Sequence, residues 1–305
     1  MPLELIDCAA LAHHGPNNVS SFQDDLVFSS SKGITLCKSL LKANRTISSF
    51  SMDFEKALLH ERFICFLSGS SIVVYSLETL SPLSEFSLSP QVQPTDVIAF
   101  SLDDNEIILA TATSLGEIYF FKVDKNGTKT NNDKLKVYSL PLSCSSPIIS
   151  LSYSSSRLLA LTDKGVLSVL SVSSSSSLSL STNIMLSSDT IFMTANDVVA
   201  AVCHVNGRVS IVDVVNHRIV ITIDLVKMPT CIAIKSDSNS IKMIVGCEDT
   251  SVSLFSFPLD FSNYSLVGVK YLTNAVAAGV SFIDGKFVVV TAESSKLAVF
   301  DENFA

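Results

Sequence analysis

One recurring unit governs what this chain can fold into. A short apolar strand runs into a polar or glycine-containing turn, and an alternating strand then closes on an aromatic or aliphatic residue. Asn105 to Ala110 leads through Leu115-Gly116 into Glu117 to Phe121. Asp197 to Val202 leads through Asn206-Gly207 into Arg208 to Asp213, and Lys286 to Thr291 leads through Ser294-Ser295 into Lys296 to Asp301. Further copies span Arg62 to Leu77, Arg157 to Val172 and Ser240 to Phe257, and a weaker one runs from Asp25 to Lys38, making seven. Alternation with period two argues strand, and the 3.6-residue stripe of an amphipathic helix is almost absent.

The spacing of the copies is as informative as their content. The closing residues Tyr75, Phe121, Leu170, Val212, Phe255 and Phe300 are 46, 49, 42, 43 and 45 residues apart. A four-stranded propeller blade takes about 40 to 45 residues. Between copies lie two more short alternating segments, such as Leu135 to Tyr138 followed by Ile148 to Leu151, or Arg218 to Ile221 followed by Cys231 to Ile234. One such sheet cannot bury both of its faces, so neighbours must stack. The expected fold is all-β, a single seven-bladed β-propeller domain over residues 1–305 with four-stranded blades. The seventh copy runs out at Phe304-Ala305, directly after its third strand, and in this reading Leu3-Glu4-Leu5-Ile6 supplies the missing outer strand and covers the exposed edge.

The segment Asn206 to Asp213 carries the turn, the alternation and a closing Asp213, with Lys296 to Asp301 next best, and Asn274-Ala275-Val276 through Ile283-Asp284-Gly285-Lys286 reads as an inner strand and its turn. On these residues the chain resembles the WD-repeat family, whose repeat runs from a buried strand through an Asp-Gly-like turn to a strand ending in Trp-Asp. Val212 stands in the Trp place. The resemblance implies a rigid platform that offers loops and blade edges to other proteins. The chain departs from the family in having no Trp and no Gly-His dipeptide. The family's His, Asp, Ser/Thr and Trp network cannot form as usual, and remnants such as Thr162 with Asp163, or Asp249, lack the His partner. Cohesion is then expected from apolar stacking between sheets, at roughly 25 cal/mol per Å² buried.

Composition narrows the function classes. Hydrophobic residues are 47% and charged residues 16%, which suits a large core and excludes a disordered chain. A net charge of −8 makes nucleic acid an unexpected partner. No apolar run reaches the ~18 residues of a membrane span, so no membrane insertion is expected. Cys8, Cys37, Cys65, Cys144, Cys203, Cys231 and Cys247 form no CxxC pair and read as reduced, buried apolar residues. Met1 to Leu11 carries Glu4 and Asp7 instead of a basic leader, so a cytoplasmic or nuclear address is expected.

Candidate chemistry is sparse. His13, His14, His60, His204 and His217 show no metal-ligand spacing, and no GxSxG-like elbow is present. No catalytic, metal or cofactor-binding residue is expected, and no cofactor. Asp24-Asp25 and Asp103-Asp104 read as turn formers whose carboxylates bond their own backbone. The serine-rich stretch Ser171 to Ser181 reads as a flexible connection between outer strands. The lysine-rich stretch Asp124 to Lys136 reads as a solvated loop, with a docking arm for an acidic partner as the alternative.

The function these features favour is a non-enzymatic protein-interaction scaffold, a subunit or adaptor of a multiprotein complex whose partners are other proteins. Turns between second and third strands line one face of a propeller, which makes Lys32, Lys164, Asn206, Arg208 and Asp249 the expected contacts. Two alternatives are a propeller hydrolase or lactonase with a channel metal and a divergent vesicle-coat guanine-nucleotide exchange propeller. The chain lacks the glycine-rich ion-binding loop and membrane anchor that the second of these implies.

Overall fold

The computed structural model describes the chain except for residues 1–3, 9–11, 13–16, 52–53, 55, 102–105, 130–135, 140–145, 155, 175–176, 274, 293 and 303–305. Leu3, His13, His14, Asp103, Asp104, Cys144, Asn274, Phe304 and Ala305, all used in the sequence reading, lie outside the described residues. The described residues form 28 strands and no helix.

The first strand, β1 (Glu4–Asp7), is set apart from those that follow it. Blade 1 comprises β2 (Ser20–Phe22), β3 (Asp25–Ser30), β4 (Gly33–Lys38) and β5 (Thr46–Phe50), and blade 2 comprises β6 (Lys56–Leu59), β7 (Phe63–Ser68), β8 (Ser71–Ser76) and β9 (Pro82–Ser87). Blade 3 holds β10 (Pro94–Ser101), β11 (Glu106–Thr113), β12 (Glu117–Asp124) and β13 (Lys136–Ser139). Blade 4 holds β14 (Ile148–Ser154), β15 (Arg157–Thr162), β16 (Val166–Ser174) and β17 (Ser177–Met185). Blade 5 holds β18 (Thr190–Ala195), β19 (Val199–His204), β20 (Arg208–Asp213) and β21 (Arg218–Asp224). Blade 6 holds β22 (Pro229–Ser236), β23 (Ser240–Cys247), β24 (Ser251–Pro258) and β25 (Ser265–Tyr271). The last three strands are β26 (Ala277–Ile283), β27 (Lys286–Thr291) and β28 (Lys296–Asp301).

Six sheets follow chain order, and the seventh has the order β1-β28-β27-β26. The architecture is a seven-bladed β-propeller of four-stranded antiparallel blades. The N-terminal strand completes the last blade, with Glu4 opposite Val299, Leu5 opposite Ala298, Ile6 opposite Leu297 and Asp7 opposite Lys296. All seven sequence copies fall on the second and third strands of a blade.

The chain divides into two compact units, Met1–Asp53 with Val198–Ala305, and Phe54–Asp197. In the first unit, β1, blade 1 and blade 7 share a core of Ile6, Leu26, Phe28, Cys37, Val288, Val290 and Leu297, and blades 6 and 7 share another around Ile244, Leu254, Phe287 and Phe300. In the second unit, blades 2 and 3 enclose Phe63, Val74, Leu109 and Phe121, and blades 3 and 4 enclose Ile108, Ala110, Leu158 and Leu170. Apolar sheet-on-sheet stacking is therefore what joins neighbouring blades inside each unit.

Two polar seams reinforce that stacking. Asp96 in β10, 1% exposed, accepts hydrogen bonds from its neighbour Val97 N–H and from Leu151 N–H of β14, both at 2.7 Å, and pairs with Lys56 of β6 at 2.5 Å. One carboxylate thus ties the inner strands of blades 2, 3 and 4. In the other unit, buried Glu302 takes Lys235 and Lys242 of blade 6 at 2.9 Å each, holding the end of blade 7 to its neighbour.

The inner strands carry a shared irregularity. The register of the first two strands shifts by one residue at Thr95, Ile149, Thr230 and Ala278 in blades 3, 4, 6 and 7. Such a bulge turns an extra side chain sideways. Thr95 uses this to donate to Ile148 O of the next blade at 2.5 Å, and Thr230 to donate to Ala277 O at 2.6 Å.

Two readings change. Ser171 to Ser181 lies largely inside β16 and β17, a paired hairpin, and is not a flexible connection among the described residues. The Ser-Leu alternation explains it: Leu178 and Leu180 pack on the blade 3–4 core, while Ser171 and Ser181 hydroxyls bond each other at 2.6 Å. Asp24 and Asp25 bond elements beyond their own turn, Asp25 accepting from Ser39 N–H at 2.8 Å and Asp24 pairing with Lys42 at 2.5 Å. In the lysine-rich connection after β12, Gly127 lies against Val74 and Leu83 of blade 2, and Lys129 N–H donates to Ser84 Oγ at 2.8 Å.

Candidate interaction surface

The turn between second and third strands is built the same way in blade after blade. A residue at the end of the second strand accepts through its carbonyl the N–H of a left-handed residue three positions on: Thr113 from Gly116, Thr162 from Gly165, His204 from Gly207 and Cys247 from Thr250, at 3.0 to 3.2 Å. The left-handed residues have φ of 76° at Gly116, 74° at Gly165, 85° at Gly207 and 68° at Thr250. This is a tight turn closed by an αL position, which glycine adopts without strain. In blades 3 and 4 a threonine hydroxyl spans the same hairpin: Thr113 Oγ1 donates to Glu117 O, and Thr162 Oγ1 to Val166 O.

The outer strand then returns to this turn. Leu88 N–H donates to Ser70 O, Leu186 N–H to Gly165 O and Leu225 N–H to Gly207 O, each at 2.8 Å, and Leu272 N–H to Thr250 O at 2.9 Å. Cys8 N–H does the same to Ser295 O in blade 7 at 2.6 Å. A leucine in four blades, and a cysteine in the blade completed by β1, therefore fixes the end of the outer strand beside the turn.

All five sequence-predicted contacts sit in or beside these turns. Lys32, Lys164, Asn206 and Arg208 are exposed, and Asp249 is half-buried. Their chemistry differs. Asn206 Oδ1 accepts Arg208 N–H at 3.1 Å, and Asp249 Oδ1 accepts Ser251 N–H at 3.1 Å and the Ser251 hydroxyl at 2.5 Å, so these two side chains shape their own turns. Lys164 belongs to the second unit, and the other four to the first.

The turns that carry Asn206, Arg208 and Asp249 are linked through the backbone between blades 5 and 6. The Val226-Lys227 backbone passes so close to Gly207 that a Cβ there would lie 3.0 Å from Lys227 N. Glu248 N–H donates to Met228 O at 3.0 Å, and Leu272 meets Thr250 as described. A strip thus runs from Val205 through Val226 and Lys227 to Glu248, Asp249 and Tyr271.

Sequence reasoning missed its apolar members. Val226 is 79% exposed, Tyr271 71% and Val205 54%. Met185 of blade 4 occupies a similar place in the other unit, one residue before Leu186, and is 67% exposed. The available signal was the leucine that recurs after the outer strand in four blades, because Met185, Val226 and Tyr271 each adjoin one.

Blades 5 and 6 hold three buried thiols, Cys203, Cys231 and Cys247. Burial pushes the Cys247 thiol up to about 11 and the Cys231 thiol up to about 12, and raises Cys203 as well. They stay protonated at neutral pH and serve as apolar packing. All six described cysteines are free and buried. Asp213, the closing residue of β20, is also buried. Burial pushes its carboxyl up, but hydrogen bonds from the Asn216 side chain and backbone and from Val215 N–H, with Arg218 nearby, outweigh this and hold it below the usual carboxylate range.

No protein-family model matches the chain, and no curated protein matches it. Solved structures do. One described as the crystal structure of a mitotic checkpoint complex superposes over 99% of this chain and 94% of that one, with a TM-score of 0.73 and 12% identity. BBS1N, solved in complex with ARL6DN, covers 98% of this chain and 95% of its own at 17% identity and a TM-score of 0.68. The computationally designed Ika8 protein covers 96% and 98% at 14% identity and a TM-score of 0.62. At these identities the likeness shows the propeller fold.

Proposed function

We propose that this chain is a divergent propeller of the WD-repeat type that works as a non-enzymatic scaffold, a subunit or adaptor that holds other proteins in a complex. The observation that carries this reading is the strip on blades 5 and 6. Large apolar side chains, Val205, Val226 and Tyr271, stand exposed on a hydrogen-bonded framework, with Arg208 and Lys227 beside them. An aromatic and aliphatic centre with a charged rim on a rigid support is the composition of a protein-binding patch. The two neighbours solved within complexes support the same direction, since one is titled as a checkpoint complex and the other as BBS1N with ARL6DN.

Arg208 serves as a direct contact in this reading. Asn206 and Asp249 hold the turns that present it, and Lys32 and Lys164 offer cations from the matching turns of other blades. The reading takes the chain to act in the cytosol or nucleus, on the sequence grounds given above.

The test is affinity purification with mass spectrometry on wild type and on a Val226→Asp, Tyr271→Asp double variant. Both positions are solvated, so the melting temperature should not move by more than a few degrees. Wild type should capture a stoichiometric protein partner, and the variant should retain less than about a tenth of it, the loss expected when a central apolar contact is charged. No stoichiometric partner for wild type would count against the scaffold, and equal capture by the variant would remove this strip from it.

A further inference from the structure

We infer that Cys8 and Cys37 form a redox-controlled staple across the join between blade 7 and blade 1. The join depends on β1, a strand of four residues that completes blade 7. Cys8 follows it directly, and its Sγ lies 3.9 Å from Sγ of Cys37 in β4 of blade 1. Both sulfurs are buried among apolar neighbours that include Ile6, Leu26 and Leu40. A disulfide needs its sulfurs at about 2.05 Å, so an approach of roughly 2 Å would join them. Cys8 sits at the end of a short strand and can supply that movement.

Beside the apolar core that β1 shares with blade 1, the polar ties between them are modest. Glu4 pairs with Arg45 at 2.7 Å, but both side chains are more than a third exposed or close to it, and such pairs contribute little. Ala12 bridges Ser30 of blade 1 and Ala292 beyond β27. A covalent link between residues 8 and 37 would therefore add more to the stability of the join than either of these contacts.

The chemistry is thiol–disulfide exchange with a low-molecular-weight disulfide such as oxidised glutathione. The Cys8 thiolate attacks one glutathione sulfur, a mixed disulfide forms, and one glutathione leaves as its thiolate. The Cys37 thiol loses its proton to solvent and attacks the Cys8 sulfur, releasing the second glutathione. Two protein thiols lose two electrons and two protons, and one glutathione disulfide becomes two glutathiones. Cys8 is itself buried, and hydrogen bonding with Cys8 and burial push the Cys37 thiol well above its ordinary value, so both steps await a transient opening of β1. In the reduced protein the join can open, and in the oxidised protein β1 is locked in place.

The folded full-length chain is incubated with oxidised glutathione, alkylated, and mapped as peptides without reduction, with melting recorded in parallel. The expected result is a Cys8–Cys37 link and a rise in melting temperature of about 5 to 7 °C, the effect of closing a loop of this length in a chain this size. Dithiothreitol should reverse both, and Cys8→Ala should show neither. Recovery of Cys8 and Cys37 as free thiols, accumulation of a stable glutathione adduct on Cys8, or a link that leaves the melting temperature unchanged would each overturn the staple. The comparison of oxidised with reduced wild type stands even where the variant folds poorly.

Discussion

Asp96 offers the sharpest test of how the blades of the second unit are joined. Its carboxylate is 1% exposed and serves two backbone N–H groups at 2.7 Å as well as Lys56 at 2.5 Å. Asp96→Ala removes all three at once. Leu151 N–H, in the inner strand of the next blade, loses its acceptor, and an unsatisfied buried donor costs about 1 to 3 kcal/mol. The Val97 N–H adds a smaller amount, since it belongs to the adjacent residue. Lys56 is more than a third exposed, so its loss of partner is discounted to under about 1 kcal/mol. The sum is about 3 to 4 kcal/mol, or a fall in melting temperature of about 5 to 6 °C for a chain this long. Asp96→Asn keeps an acceptor oxygen for one N–H and should cost about half as much, while Lys56→Met should cost least. Urea unfolding with amide exchange at Leu151 as a local readout measures the order. A Lys56→Met variant that loses more than Asp96→Ala would refute the argument, because it would make the ion pair and not the backbone acceptor the principal tie.

Two backbone positions should respond in opposite directions. Gly165→Ala places a Cβ 2.1 Å from Ser187 O at a φ of 74° and should lower the melting temperature by several degrees, whereas Thr250→Gly relieves a β-branched residue at φ 68° and should raise stability by about 0.5 to 1 kcal/mol in a denaturant titration. Asp213 gives a pH test. Its folded carboxyl is held below the ordinary range, so its contribution is present above the unfolded value near 3.8 and fades as pH falls through the lower folded value. Asp213→Asn should be less stable than wild type at pH 7 and converge with it in acid below about pH 4; a constant difference across that window would exclude the carboxylate as the cause.

Much of the fold was legible because strand, turn and strand are local. Each copy from Asp25 to Lys38 onward shows period-two alternation across a turn, and no tertiary knowledge is needed to read it. The β1 strand was legible by subtraction, since a blade short of one strand exposes an edge. The serine-rich hairpin was not. Serine is a weak strand former and a common linker residue, so composition hid the Leu178 and Leu180 positions that pack on the core. The same limit applies to the candidate surface. The turn residues Asn206 and Asp249 could be placed but their roles could not, because an Asx side chain that caps its own turn and one that reaches a partner look alike in sequence. Val226 and Tyr271 are apolar residues that would be assigned to a core until the outermost strand of each blade is known.

The polar bonding that the WD-repeat resemblance implies for each blade is arranged differently in this chain. The family's network draws on His, Asp, Ser/Thr and Trp, and this chain has no Trp. Yet His204 at the end of β19 meets the Ser210 hydroxyl of β20 at 2.9 Å inside blade 5, and Asp213 caps the turn that follows in the same blade. Blades 3 and 4 close the matching hairpin with Thr113 and Thr162 alone, and blade 7 with Thr291 donating to Lys296 O at 2.8 Å. A hydroxyl that bonds back to its own hairpin satisfies the local backbone without reaching the outer strand. The longer-range tie then passes to the leucine N–H that returns to the turn in blades 2, 4, 5 and 6 and to Thr95, Thr230 and Asp96 between blades. Polar bonding is divided here into short hairpin locks and inter-blade ties.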